Sequence, residues 1–208
     1  MVSNEEGTLL VKLARAAVTT YLAESKKIKP TDPLSEALAA KSGVFVTIEK
    51  LRGDERTLRG CIGYPLPYMP LAEATIDSAL NAAFSDPRFP PLKEKELEQV
   101  VFEVSVLTPP KLLKASDPRS YPRLIKVGRD GLIIEQGFYK GLLLPQVPVE
   151  YGWDEETFLS ECCMKAGLPP DSWLSKEVLV YTFCANVFTE NSPKGEVVVK
   201  GLELKNGR

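Results

Sequence analysis

Between Gly43 and Phe84 a strand, a tight turn, a second strand and an alanine-rich helix follow one another without slack. This run constrains the fold more than any other part of the chain. Gly43 opens Val44–Leu51, rich in the β-branched residues that favour strands. The turn Arg52-Gly53-Asp54-Glu55 leads into Thr57–Ile62, so the two runs read as an antiparallel hairpin. Pro65, Pro67 and Pro70 stop the second strand. Pro70 suits a first helical turn, where a missing N–H costs little. In the helix Leu71–Phe84, the residues Ala72, Ala79, Ala82 and Ala83 are small enough for close approach to a sheet, while Glu73, Asp77 and Asn81 form a polar stripe.

The second strand also carries the strongest chemical signal. In Thr57–Pro67, TLRGCIGYPLP, Cys61 stands between Gly60 and Gly63 with Arg59 two residues before it. Strict alternation puts Thr57, Arg59 and Cys61 on one strand face, about 6.6 Å apart in steps of two. A cation there lowers a thiol pKa, which makes Cys61 a candidate nucleophile. The competing reading is a small buried hydrophobe, a common fate of free cysteine. Gly60 and Gly63 either cradle an anion or permit tight packing of the alanine-rich helix.

Other candidates lie further along. Asp86 and Arg88 flank Pro87 in a proline-rich loop; Arg88 could hold a carboxylate or phosphate, or the two could pair with each other. Glu103 and Ser105 share one strand face. Glu103 is the nearest thing to a general base, against the plainer expectation of a solvated strand face. Gln146, between Pro145 and Pro148, could present its amide to a ligand or satisfy loop backbone. Cys162, Cys163 and Cys184 read as core, and Trp153 and Trp173 as packing anchors.

Composition removes several classes of function. Histidine is absent, which excludes a Cys–His dyad, a Ser–His–Asp triad and a His-ligated metal. The four cysteines contain no CxxC pair, so no metal site is expected and no cofactor is implied. Net charge is −2 with the two signs interleaved, so the basic patch of a nucleic-acid binder is missing. No stretch reaches the ~20 apolar residues of a membrane span, and the polar, acidic start MVSNEEG is no signal peptide. These features predict a cytoplasmic protein with reduced thiols.

The remaining chain alternates irregularly. Helical spacing predicts Thr8–Ala23, with Lys12, Arg15 and Thr19 off its apolar face, and a short helical stretch Leu34–Ala40. A short helix Lys93–Gln99 precedes the strand Val100–Leu107. Asp130-Gly131 predicts a hairpin between Leu124–Val127 and Leu132–Glu135. A helix capped by Asp154 ends at Gly167, followed by a central strand Val178–Ala185 and a last strand Glu196–Leu202. This order predicts an α+β fold, a mainly antiparallel sheet with packed helices, in one domain over 1–208 with a smaller peripheral lobe over 109–150.

The assembled motifs resemble the AMMECR family. The resemblance rests on GVFVTI (Gly43–Ile48), LRGCIGY (Leu58–Tyr64), AAFSDPRFPPL (Ala82–Leu92), EVSVLTPP (Glu103–Pro110), GLLLPQVPVEYGWD (Gly141–Asp154) and KAGLPPDSW (Lys165–Trp173). It implies an α+β fold with a cleft near the LRGCIG segment. It also implies Memo-like or radical-SAM proteins as partners in a shared pathway. It brings no established reaction. The residues and the resemblance together predict an enzyme or ligand binder for a small anionic metabolite. Cys61 and, more remotely, Glu103 are the catalytic candidates, and Arg59, Gly60, Gly63, Asp86, Arg88 and Gln146 the ligand-binding ones. The alternative is a non-catalytic adaptor that receives a partner protein in the same cleft.

Overall fold

The computed structural model describes residues 2–30, 33–53 and 55–200. The chain divides into two units, the first formed by Met1–Leu107 with Asn186–Lys200 and the second centred on Thr108–Ala185. The second unit therefore begins one residue before the lobe predicted from sequence and runs well beyond residue 150. The architecture is α+β, with antiparallel sheets and packed helices.

In the first unit, α1 (Asn4–Glu24) begins with a capping box: Ser3 accepts from the Glu6 backbone N–H, and the Glu6 side chain accepts from that of Ser3. A short α2 (Glu36–Ala39) follows. The hairpin is present as β1 (Val44–Arg52) and β2 (Glu55–Tyr64), and α3 spans Leu71–Phe84. A 3₁₀ helix, Glu94–Gln99, leads into β3 (Val100–Leu107). With β8 (Ala185–Glu190) and β9 (Val197–Lys200) these strands form a sheet in the order β2-β1-β3-β8-β9.

Val44, Val46 and Ile48 of β1 and Phe102, Val104 and Val106 of β3 point to one face, where α1 and α3 cover them. Arg15, placed off the apolar face by periodicity, is buried here. Its guanidinium pairs with Glu190 at 2.5 Å and donates to the Val100 carbonyl at 2.7 Å. Glu190 also accepts the Phe102 backbone N–H at 2.9 Å, so this buried carboxylate is fully partnered.

The second unit holds a four-stranded antiparallel sheet in the order β4-β7-β5-β6: β4 (Lys111–Leu112), β5 (Gly131–Gln136), β6 (Tyr139–Leu143) and β7 (Leu179–Phe183). Helices α4 (Tyr121–Leu124), α5 (Gln146–Tyr151) and α6 (Glu155–Lys165) belong to it, with Asp154 capping α6 as expected. The hairpin differs from the sequence reading. Residues 124–127 are not a strand; β5 turns at Gly137 (φ +58°) and pairs with β6 instead. Asp130 does not turn a hairpin either, because its carboxylate accepts the Lys126 backbone N–H at 2.8 Å. The predicted tail strand is present over Val197–Lys200, and Gly201 and Leu202 lie outside the described residues.

Candidate functional site

Cys61 lies on β2, an edge strand, directly opposite Thr47 of β1, and Thr47 in turn lies opposite Glu103 of β3. Residues opposite one another on antiparallel strands point to the same side. Cys61, Thr47 and Glu103 therefore form a row on the sheet face away from α1 and α3. The Thr47 hydroxyl lies 3.2 Å from Sγ and can donate to it.

The outer edge of β2 is held by the proline-rich loop. The Cys61 backbone N–H donates to Oδ2 of Asp86 at 2.9 Å, and Arg88 reaches the Cys61 carbonyl at 3.3 Å. Arg88 also pairs with Asp86 at 2.8 Å, so the two loop residues bind each other as well as the strand. Hydrogen bonds from Arg88 outweigh burial and hold the Asp86 carboxyl far below the usual carboxylate range. Asp86 is buried, whereas Arg88 keeps half of its side chain in solvent.

Arg59 is not beside Cys61. The register of β1 and β2 shifts between Ile48 and Glu49: Ile48 faces Gly60, Glu49 faces Leu58, and Arg59 is the extra residue of a β-bulge. Thr57 consequently faces Lys50 while Cys61 faces Thr47. Lys50 and Thr47 are three apart on one strand and so lie on opposite faces. The alternation that grouped Thr57, Arg59 and Cys61 is broken. The Arg59 guanidinium instead grips Glu96, Nε to Oε1 at 2.9 Å and Nη2 to Oε2 at 3.2 Å, and Nη2 also donates to the Pro90 carbonyl at 2.9 Å.

The thiol responds to its real neighbours. Burial pushes the Cys61 pKa up from its ordinary value; the Thr47 hydrogen bond and the Arg88 charge oppose this, and the Glu103 and Asp86 charges add to it. The expected low-pKa thiolate is thus replaced by a neutral thiol. Glu103 is buried rather than solvated, and so is Ser105. Desolvation raises the Glu103 pKa despite the Lys200 ammonium at 2.8 Å.

Neither glycine of the motif faces open space. A Cβ on Gly60 would collide with the Ala82 carbonyl oxygen of α3, and one on Gly63 with the Val44 carbonyl oxygen. These positions serve close packing. Gln146 begins α5 in the second unit, where its side-chain oxygen is buried without a hydrogen-bond partner among the described residues. Burial lifts Cys162 to about 12 and Cys163 to about 11. Cys184, expected in the core, is only partly buried, and its Sγ lies 3.7 Å from Oδ1 of Asp130.

Thr47, a member of the Cys61 row, and Lys200, the partner of Glu103, escaped the sequence reading. Thr47 could have been found, since the alternation in GVFVTI separates it from Val44, Val46 and Ile48. Lys200 carries no local signal, because only the sheet order brings β9 near β3.

The chain resembles known proteins over nearly its whole length. The AMMECR1 family model matches residues 11–188. A protein of Thermococcus onnurineus is 54% identical over 97% of this chain and 98% of its own length. One from Thermofilum pendens is 55% identical, with the same coverage of both chains. The crystal structure of the uncharacterized protein PH0010 from Pyrococcus horikoshii superposes with a TM-score of 0.85 at 52% identity, over 96% of this chain and 98% of that one. On both the family match and these identities, the chain belongs to the AMMECR1 family.

Proposed function

We propose that the protein binds a small anionic metabolite over the Cys61 row and that Cys61 attacks it as a nucleophile. The observation that carries this reading is the register of Cys61, Thr47 and Glu103 across three adjacent strands. It groups two titratable residues, both displaced by desolvation, on the sheet face opposite α1 and α3. Arg88 supplies the positive charge for the ligand, since half of its side chain remains in solvent beside the Cys61 carbonyl.

The roles differ from those of a preformed thiolate. Cys61 rests as a neutral thiol. As the sulfur adds to a carbonyl carbon of the ligand, the C=O π pair moves onto the carbonyl oxygen. The thiol proton leaves by way of the Thr47 hydroxyl, which stands between the two residues, to Glu103. The raised Glu103 pKa makes it a better acceptor near neutrality than an ordinary carboxylate. Thr47 orients the sulfur through its hydrogen bond.

Untargeted metabolite binding followed by intact-protein mass spectrometry tests the reading. The wild type should retain a small anion and form an adduct on Cys61. Cys61→Ala should retain the anion without the adduct, and Glu103→Gln should slow adduct formation. If none of the three proteins retains a metabolite, the non-catalytic adaptor becomes the better account.

A further inference from the structure

We propose that the hollow beside Arg59 is a separate binding site for a small molecule carrying phosphate groups. The site stands on its own observations and does not rest on chemistry at Cys61. It is a cavity of about 450 Å³, lined chiefly by Lys50, Arg59, Lys93, Lys95, Glu96 and Gln99. That volume lies within the ~300–1,000 Å³ usual for ligand pockets.

Its organisation follows from the bulge in β2. The extra residue turns Arg59 away from Cys61 and toward the segment that enters the 3₁₀ helix Glu94–Gln99. Pro90 and Pro91 stiffen the approach, and Lys93 and Lys95 follow them at the rim. The Arg59 side chain is only 10% exposed. Its Nε and Nη2 are engaged, but Nη1 is buried and has no hydrogen-bond partner among the described residues. A buried guanidinium N–H without an acceptor is costly, and an acceptor supplied by a ligand would relieve it.

The charge of the lining points to the ligand class. Arg59 and Glu96 neutralise each other, which leaves the ammonium groups of Lys50, Lys93 and Lys95 uncompensated within the lining. A planar monocarboxylate is best read by a free guanidinium fork, and Glu96 already occupies that fork. Ammonium groups are compact charges with rotatable donors. Three of them in one lining with Arg59 suit a multiply charged, tetrahedral anion. The overall net charge of −2 favours a small molecule over a long polyanion.

Isothermal titration calorimetry of the full chain with inorganic pyrophosphate at low ionic strength tests this. Saturable binding is expected, with acetate far weaker. The double variant Lys93→Gln/Lys95→Gln should lose affinity about tenfold or more, as removal of charge-assisted contacts does. Lys165→Gln, on the second unit, should change nothing. Cys61→Ser should also bind pyrophosphate as the wild type does, which separates this site from the proposed thiol chemistry. Arg59→Lys should weaken binding where the variant folds, and the lysine variants decide the matter where it does not. Absence of saturable binding at millimolar pyrophosphate overturns the proposal, as does an unchanged affinity in the double lysine variant. A short oligonucleotide that binds more tightly through the same lysines would overturn the small-molecule assignment.

Discussion

The Asp86 carboxylate accepts the backbone N–H of Cys61 at 2.9 Å, so the edge of β2 is closed by a side chain where a further strand could have paired. The same carboxylate takes the Arg88 guanidinium and the Arg88 backbone N–H. Asp86→Ala would leave the Cys61 N–H and the Arg88 side chain without their acceptor. The expected cost is about 2 kcal/mol, below the range for fully buried pairs because Arg88 is half in solvent. Urea unfolding checks it.

Acidity provides a second view of the same group. The folded-state pKa of Asp86 is depressed, so its contribution is fully present above the ordinary aspartate value near ~4 and is lost as pH falls toward the folded value. The wild type should lose stability over that acidic window more steeply than Asp86→Asn. Parallel acid-unfolding curves for the two proteins would show that Asp86 is not held as the geometry requires.

Gly60 makes the closest contact between β2 and α3. A methyl group there meets the Ala82 carbonyl oxygen, which is backbone and cannot rotate aside. Gly60→Ala should therefore destabilise by roughly 1–3 kcal/mol, the range for overpacking. The melting temperature should fall accordingly. An unchanged melting temperature would mean that the strand and helix can separate without penalty.

Local pattern made the hairpin, α3, β3 and the Asp154 cap legible, because each of these rests on neighbours in sequence. It failed at Arg59, because a bulge inserts a residue into the count and reverses the faces before it. Nothing in Thr57–Ile62 announces that insertion; it is set by how β2 meets β1. The burial of Glu103 and Ser105 was hidden for a related reason. Their strand is central, between β1 and β8, and strand position within a sheet is not written in strand composition. Periodicity places Arg15 off the apolar face of its helix, although Glu190, far away in sequence, accepts it inside. The Asp130-Gly131 signal was misread because Asp130 caps a turn from Lys126, and Gly131 starts β5.

Glu103 should show the opposite pH behaviour from Asp86. Its folded-state pKa is raised, so the folded protein binds more protons there than the unfolded chain. Stability then falls as pH rises from the ordinary glutamate value near ~4.3 through the folded value. Glu103→Gln removes this loss. It should match the wild type at pH below ~4 and be more stable than the wild type at pH 8. Thermal melts across that range decide it, and a variant less stable at pH 8 would mean that the Lys200 pairing outweighs desolvation.

Thiol labelling separates the real neighbours of Cys61 from the expected ones. Because burial raises its pKa, Cys61 should alkylate slowly at neutral pH, and its rate should climb with pH past the ordinary value of 9.0 without an earlier plateau. Arg59→Ala should leave that rate unchanged, since the guanidinium lies against Glu96. Arg88→Gln should slow it further, since Arg88 is the cation that favours the thiolate. Cys162 and Cys163 should stay unlabelled until denaturant is added, while Cys184, partly exposed, should react under native conditions. Peptide mass spectrometry of the alkylated protein over a pH series reads all four sites at once. A Cys61 rate that levels off near pH 7 would contradict the neutral thiol, and a rate that falls in Arg59→Ala would contradict the bulge.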